Sequence, residues 1–172
     1  MERNSKQTAA MGLHFRLANP ADLEAVFNLY MDPDCNRFLT YDQMHLDGFE
    51  KIYSGLLTSE TLYVAEGNGS IAGSYRLIPK TYRQARTIYL GGFVVSPALK
   101  GRGIGGLMME HIKKDAEQKG YKRIELTVDL RNRAAIALYI KMGFEFEGRL
   151  RMSYQFNGEG PYYDEYLMGL IL

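Results

Sequence analysis

A chain of 172 residues is long enough for one domain that buries about 70% of its unfolded surface, and its single cysteine, Cys35, excludes an internal disulfide and any cysteine-cluster zinc site. With 21 Lys and Arg against 20 Asp and Glu, the net charge of +1 argues against a phosphate-tracking surface and so against a bulk nucleic-acid binder. Glycine is in excess, at 18 residues against a usual share of about 7%, with no collagen period or low-complexity tract to account for it.

Residues 1–11 are polar and lack the apolar stretch of a signal peptide, so a disordered start is expected there. No window approaches 18 uninterrupted apolar residues, and a cytoplasmic chain without a membrane span is expected. Leu13 to Leu17 alternates as a half-buried strand does. Asn19-Pro20 opens a helix, with Asn19 as N-cap and Leu23, Val26, Phe27 and Tyr30 on its apolar face. Met31 to Tyr41, carrying Asp32-Pro33-Asp34, reads as a loop. A second helix is expected from about Asp42, with Leu46, Phe49, Ile52, Tyr53, Leu56 and Leu57 at spacings of three and four.

The period then changes. Thr61 to Glu66 and Ser70 to Ile78 read as strands around the tight turn Gly67-Asn68-Gly69. Arg86 to Ser96 is strongly β-type but interrupted by Gly91-Gly92, which suggests a bulge or a close backbone approach. Ile104 to Lys119 is a helix with Ile104, Leu107, Met108, Ile112 and Ala116 inward and Gly120 as its stop. Arg123 to Asp129 is a strand, Asn132 to Met142 a helix ended by Gly143, Phe144 to Phe156 an alternating segment, and Tyr162 to Leu172 a closing strand. The order predicts an α/β (α+β) domain over residues 12–172, with a mixed sheet of six to seven strands flanked by about four helices.

Lys100-Gly101-Arg102-Gly103-Ile104-Gly105-Gly106 joins a strand to a helix. Glycines there let the backbone approach a ligand, and the helix adds its positive end, so a phosphate or pyrophosphate is favoured. Lys100 and Arg102 add charge-assisted bonds. The alternative is an ordinary glycine-rich turn. Gly101, Gly103 and Gly106 also satisfy the dinucleotide fingerprint formally, with Glu125 or Asp129 as the ribose acid. Against it stand the residues between strand and loop, the preceding hairpins, and too little following chain for two mononucleotide-binding halves. A Walker A loop fails for want of Gly-Lys-Ser/Thr.

From Asn132 to Phe144 the chain reads NRAAIALYIKMGF. Seven residues make nearly two helical turns, which puts Asn132 and Tyr139 on one face. Asn132 is placed to cap the helix, and a tyrosine hydroxyl there is able to hydrogen-bond a leaving thiolate and return a proton to it. Alone, such an aromatic is core more often than catalyst.

Together the two stretches resemble the GNAT superfamily of acetyl-CoA-dependent N-acetyltransferases. The family's Gln/Arg-x-x-Gly-x-Gly/Ala motif is met with Lys100 in the first place, and its N-x-x-A-x-x-L-Y-x-K-x-G-F pattern in full. The resemblance implies a mostly antiparallel sheet whose central strands splay at a bulge, here Gly91-Gly92. It implies acetyl-CoA as cofactor, with the backbone of Phe93, Val94 and Val95 on the pantetheine arm. Lys100, Gly101, Arg102, Gly103, Ile104, Gly105 and Gly106 would hold the pyrophosphate, and Asn132 would bond the arm. Tyr139 would be the general acid, and an amide near Phe93 or Val94 would stabilise the oxyanion.

The acceptor is expected to be a small-molecule amine. Glu125 to Val128 and the tail from Asn157 to Met168 look like the bacterial L-amino-acid N-acetyltransferase branch, while polyamine and ribosomal-protein acetyltransferases stay open. An amino acid needs a cation for its carboxylate, for which Arg37, Arg76 and Arg83 are candidates. A polyamine wants acids, for which Asp32, Asp34 and Asp164 are candidates. Many relatives carry a Glu in the fourth strand, but Ile88 to Phe93 has no carboxylate. Tyr89 through water, or Asp32 or Asp34, are the substitutes for the base. The same gap admits a ligand sensor of this fold without turnover. Cys35 has no base partner in sequence and is expected to be inert. His14, His45 and His111 lack ligand spacing, so no metal is expected; a homodimer through the last strands is a further expectation.

Overall fold

The computed structural model describes residues 12–172; the start expected to be disordered, 1–11, lies outside them. The strands are β1 (His14–Leu17), β2 (Leu62–Gly67), β3 (Ser70–Pro79), β4 (Thr87–Val95), β5 (Arg123–Asp129), β6 (Glu145–Phe156) and β7 (Glu159–Ile171). The helices are α1 (Leu23–Met31), α2 (Pro33–Asn36), α3 (Leu46–Thr58), α4 (Ile104–Gln118) and α5 (Arg133–Lys141). The strands hydrogen-bond in the order β1-β2-β3-β4-β5-β7-β6. Pairs β1–β2, β2–β3, β5–β7 and β6–β7 are antiparallel and β4–β5 is parallel, which is the mixed, mostly antiparallel sheet expected. The parallel pairing takes in Thr87, Ile88 and Tyr89 of a nine-residue strand, as splayed central strands require.

The chain groups into two compact units, one of residues 12–77 with Gly92–Met108 and one of Ile78–Gly91 with Met109–Leu172. In the first, Asn19 makes a capping box with Asp22, and Pro20 takes the first helical position, so the chain enters α1 as its sequence dictates. Asp22 is buried but takes both ends of the Arg16 guanidinium, at 2.6 and 2.8 Å. Val26, Leu29, Tyr30, Phe49, Tyr53, Leu56, Leu62, Val64 and Val94 form the core.

Two boundaries correct the sequence reading. Asp32 to Asn36 is not loop: the Asp32 carboxylate accepts from the N–H groups of Asp34 (2.9 Å) and Cys35 (3.2 Å), and Pro33 presets the next φ, which starts the four-residue helix α2. A single turn shows no period, so hydrophobic spacing could not reveal it. Helix α3 begins at Leu46 rather than near Asp42, because Gln43 and Met44 are tied back to Met31 at the end of α1 and His45 is extended.

Strands β2 and β3 turn at Asn68 (φ +52°) and Gly69 (φ +74°), the left-handed pair of a two-residue hairpin. Further along β3 a glycine is needed for a different reason. A Cβ at Gly73 would lie 2.6 Å from the Val94 carbonyl oxygen and 2.8 Å from Met108 Sδ.

In the second unit Ile124, Leu126 and Met168 are buried on β5 and β7, with Ile112 and Ala116 of α4. The inward face expected for α4 is the buried one throughout: Ile104, Leu107, Met108, Ile112 and Ala116. Gly120 (φ +80°) and Gly143 (φ +94°) close α4 and α5 in the left-handed conformation. The alternation of β6 does not mean burial: Glu145 to Ser153 is exposed throughout, an edge strand blunted by its charges.

Gly73→Ala is expected to lower stability in chemical denaturation by roughly 1–3 kcal/mol, because a backbone carbonyl stands in the way. Gly55→Ala, inside α3 with nothing within 4 Å of the added methyl, should instead stabilise by about 0.5–1 kcal/mol.

Candidate functional site

The glycine loop belongs to the first unit. After β4, Ser96 N–H bonds the Ala72 carbonyl (2.8 Å), and Pro97–Leu99 makes a short 3-10 turn. The chain then enters α4 through Gly101 (φ +75°) and Gly103 (φ +80°). A Cβ at either would meet nothing within 4 Å, so the glycines serve the backbone conformation and the space beside them is open. The Ile104, Gly105 and Gly106 N–H groups open a 15-residue helix with no acid in its first turn. Such groups have no acceptor within their own helix and carry the positive end of its dipole. Lys100 is exposed, with Nζ 4.0 Å from Asp34, and Arg102 is exposed.

Phe93 and Val95 are half-buried and Val94 is buried, its carbonyl against Gly73. The Val95 carbonyl faces Cys35 Sγ at 4.0 Å. Burial, with Asp32 nearby, pushes the Cys35 thiol up to about 11, so it is not a nucleophile at neutral pH.

The bulge suspected at the glycine pair has a geometric basis at Gly92, whose φ is +55° and whose Cβ would fall 2.7 Å from Tyr30 Oη. Tyr30 is buried, and desolvation raises its phenol to about 12. Arg76, on β3, is half-buried and donates to the hydroxyls of Tyr41 and Thr61, each at 3.4 Å. The other acceptor candidates of this unit lie elsewhere in purpose. Asp32 caps α2, Asp34 is exposed between Lys100 and Arg37, and Arg37 is 59% exposed over the Phe38 ring.

The second unit holds Asn132 and Tyr139. Asn132 Oδ1 accepts from Ala135 N–H at 3.2 Å, the predicted N-cap, which leaves its NH2 end as a donor. The turn before it is fixed by Asp129, whose side chain accepts from the Arg131 N–H (2.6 Å), the Arg131 guanidinium (2.6 Å) and the Tyr154 hydroxyl. Arg131 stacks 3.6 Å over the Tyr163 ring. From sequence Asp129 is a candidate only as a ribose acid; its partner Tyr154, and Tyr163 under Arg131, stand more than twenty residues away, and no local pattern joins them. Lys113 donates to the Met142 carbonyl at the end of α5 (3.2 Å).

Tyr139 is buried against Phe144, with ring centroids 5.6 Å apart. Desolvation, with the Tyr89 phenol adding to it, raises the Tyr139 pKa well above the ordinary tyrosine value. Tyr89 Oη is 2.9 Å from Thr127 Oγ1. Asp164 is engaged in the β6–β7 hairpin, accepting from Arg149 Nε (2.7 Å) and the Met152 N–H (2.8 Å).

The Acetyltransferase (GNAT) family model matches residues 23–144, which takes in the glycine loop and the Asn132–Phe144 segment. The chain belongs to this family. Its enzyme class, the N-acetyltransferases, and its cofactor, acetyl-CoA, are those expected from the sequence. Thialysine N-epsilon-acetyltransferase of Mus musculus is 31% identical over 130 residues, 70% of this chain and 75% of that enzyme. The ribosomal protein bS18-alanine N-acetyltransferase of Salmonella typhimurium is 35% identical over 71 residues, 41% of this chain and less than half, 47%, of its own length. Among solved structures, spermidine N-acetyltransferase from Vibrio cholerae in complex with CoA and spermine has the same fold, with a TM-score of 0.78 at 22% identity, covering 92% of this chain and 95% of that one. Among the described residues no helix is long and apolar enough to cross a membrane.

The Asp129 carboxyl titrates below its usual range: burial alone would raise it, but the bonds from Arg131 and Tyr154 outweigh burial. Its contribution to stability is therefore complete above about pH 4 and is lost as pH falls through the depressed folded value. Asp129→Asn should cost about 1–3 kcal/mol at pH 7, and urea denaturation across pH should show a shallower acid loss than in the wild type.

Proposed function

We propose that the protein moves the acetyl group of acetyl-CoA to the primary amine of a small molecule, an amino acid in particular, by direct attack. The observation that carries this reading is the open glycine turn leading into an acid-free helix N-terminus. An anionic pyrophosphate is stabilised at such a place by backbone donors and by the helix dipole. In this reading amides between Gly101 and Gly106, other than the Arg102 N–H that bonds the Leu99 carbonyl, go to the pyrophosphate, with the Lys100 and Arg102 side chains at its rim. The backbone of Phe93 to Val95 and the Asn132 NH2 hold the pantetheine arm. Cys35 is unpaired, which suits a reducing compartment such as the cytoplasm.

The amine nitrogen forms a bond to the thioester carbon, an amide of the bulged strand receives the developing oxyanion, and the C–S bond breaks to release the thiolate. Tyr139 meets that thiolate. A phenol whose pKa burial has raised stays protonated at neutral pH, so it is a donor and never a base. Full transfer to a thiolate with a pKa near 8.5 is uphill, so the phenol acts first by hydrogen-bonding the sulfur. The attacking nitrogen sheds its proton into water, with the Tyr89–Thr127 hydroxyl pair as a relay and the departing thiolate as the group that finally takes up a proton, since β4 has no carboxylate. Of the acids that a polyamine would need, Asp32 is engaged in a cap and Asp164 with Arg149, and exposed Asp34 stands about 4 Å from two cations.

Calorimetry with acetyl-CoA and with NAD, followed by thiol release across an amine panel, tests the reading. Binding of acetyl-CoA and turnover with an amino acid are expected. Binding of NAD alone points to a dinucleotide protein, and cofactor binding without thiol release points to a sensor. Tyr139→Phe should keep its affinity for CoA while kcat drops by roughly 100-fold or more; an unchanged kcat would make Tyr139 structural.

A further inference from the structure

Three buried side-chain polar atoms of the described residues lack a hydrogen-bond partner: Tyr30 Oη, Ser74 Oγ and Arg76 Nε. They are neighbours. Tyr30 and Arg76 both flank Gly92, whose Cβ would lie 2.7 Å from Tyr30 Oη and 3.7 Å from Arg76 Cγ and Cδ. Ser74 and Arg76 are two apart on β3 and so share a face of the strand. The Ser74 hydroxyl is within hydrogen-bonding reach of the Tyr30 phenol, which lowers that phenol's pKa against the trend of burial, and the pair still leaves one O–H without an acceptor. Tyr30 is 1% exposed and Ser74 0%, and Arg76, half-buried, is the member of the group that solvent and a ligand reach.

Arg76 sharpens the point. Arg16, Arg123, Arg131 and Arg149 each pair with a carboxylate. Among the described residues no carboxylate lies within 4.0 Å of Arg76; it has two long bonds to neutral hydroxyls. A guanidinium stays charged at any working pH. A partly buried cation without a counter-charge is costly, as are buried donors without acceptors. One anion answers both. A carboxylate accepts side-on from the planar guanidinium fork and from hydroxyls at once, with lone pairs to spare.

We propose that Arg76, with the Tyr30 and Ser74 hydroxyls beside Gly92, binds the carboxylate of the acceptor, which makes an amino acid, not a polyamine or a simple amine, the substrate class. The assignment rests on the acetyl-transfer reading above. A polyamine brings no acceptor for these donors and sets a second cation against Arg76.

The test uses matched pairs that differ by one carboxylate: L-lysine with cadaverine, L-ornithine with putrescine, L-leucine with isoamylamine. Thiol release from acetyl-CoA should favour the carboxylated member in kcat/KM by about 100-fold or more, as expected of a site built around a polar group. Arg76→Gln should collapse that ratio toward one, and Tyr30→Phe should reduce it. A thermal shift with the same pairs needs no turnover: L-amino acids should raise Tm in the wild type and not in Arg76→Gln. Arg76→Met without ligand should keep or raise Tm, since it removes an uncompensated charge. An equal or better decarboxylated partner, or an undiminished ratio in both Arg76→Gln and Tyr30→Phe, overturns the proposal. Failure of the acetyl-transfer reading looks different: no thiol is released with any amine, while the thermal shift still reports whether Arg76 holds a carboxylate.

Discussion

The backbone of β4 at Val94 lies closer to β3 than any side chain permits, and Gly73 is what makes room for it. Met108 of α4 fills the same spot. Strand β3, the end of β4 and the start of the second turn of α4 are thus set by one contact in the first unit. The end of β4 and the start of α4 are the two ends of the glycine loop, so this contact fixes where the loop begins and where its helix points. Inside the loop the glycines have another task. Gly101 and Gly103 face open space and supply left-handed backbone. One compositional excess therefore answers two demands: close approach at Gly73 and Gly92, and backbone turning at Gly101 and Gly103.

The second unit relies on charge instead. Asp129 collects its bonds at the end of β5 and fixes the turn on which Asn132 stands. A buried carboxylate is tolerable because several donors satisfy its lone pairs. Asn132 then caps α5, and the helix carries Tyr139 into a dry environment against Phe144. Dryness decides the state of that phenol: burial raises its pKa, so it keeps its proton at neutral pH.

Much of this was legible from local chemistry. Asn19-Pro20, Gly120 and Gly143 announce helix ends because caps are properties of a few consecutive residues. Strand β5 was read with the bounds it has, since its alternation is strict. Helix α2 was missed because one turn set by an Asp32 cap leaves no period. The exposure of β6 is not legible in its sequence, because alternation fixes which side chains share a face and says nothing of what covers it. The Asp129 cluster joins residues distant in sequence. Arg37, Arg76 and Arg83 were equal as candidate cations; only the fold separates exposed Arg37 and Arg83 from part-buried Arg76.

That separation bears on the acceptor through elementary electrostatics. Lys100 and Arg37 are exposed, each about 4 Å from Asp34, where water screens them, and their presence says little about a ligand. Arg76 sits where screening is weak, next to two buried hydroxyls that between them lack an acceptor. Two of the three candidate acids already have donors, Asp32 from backbone N–H groups and Asp164 from Arg149 and Met152, and Asp34 is exposed to screening water. A cationic acceptor at Asp32 or Asp164 would have to displace those donors, whereas an anionic group completes Arg76 Nε without breaking any bond of the fold. The uncompensated charge is positive, and the ligand group that relieves it is negative.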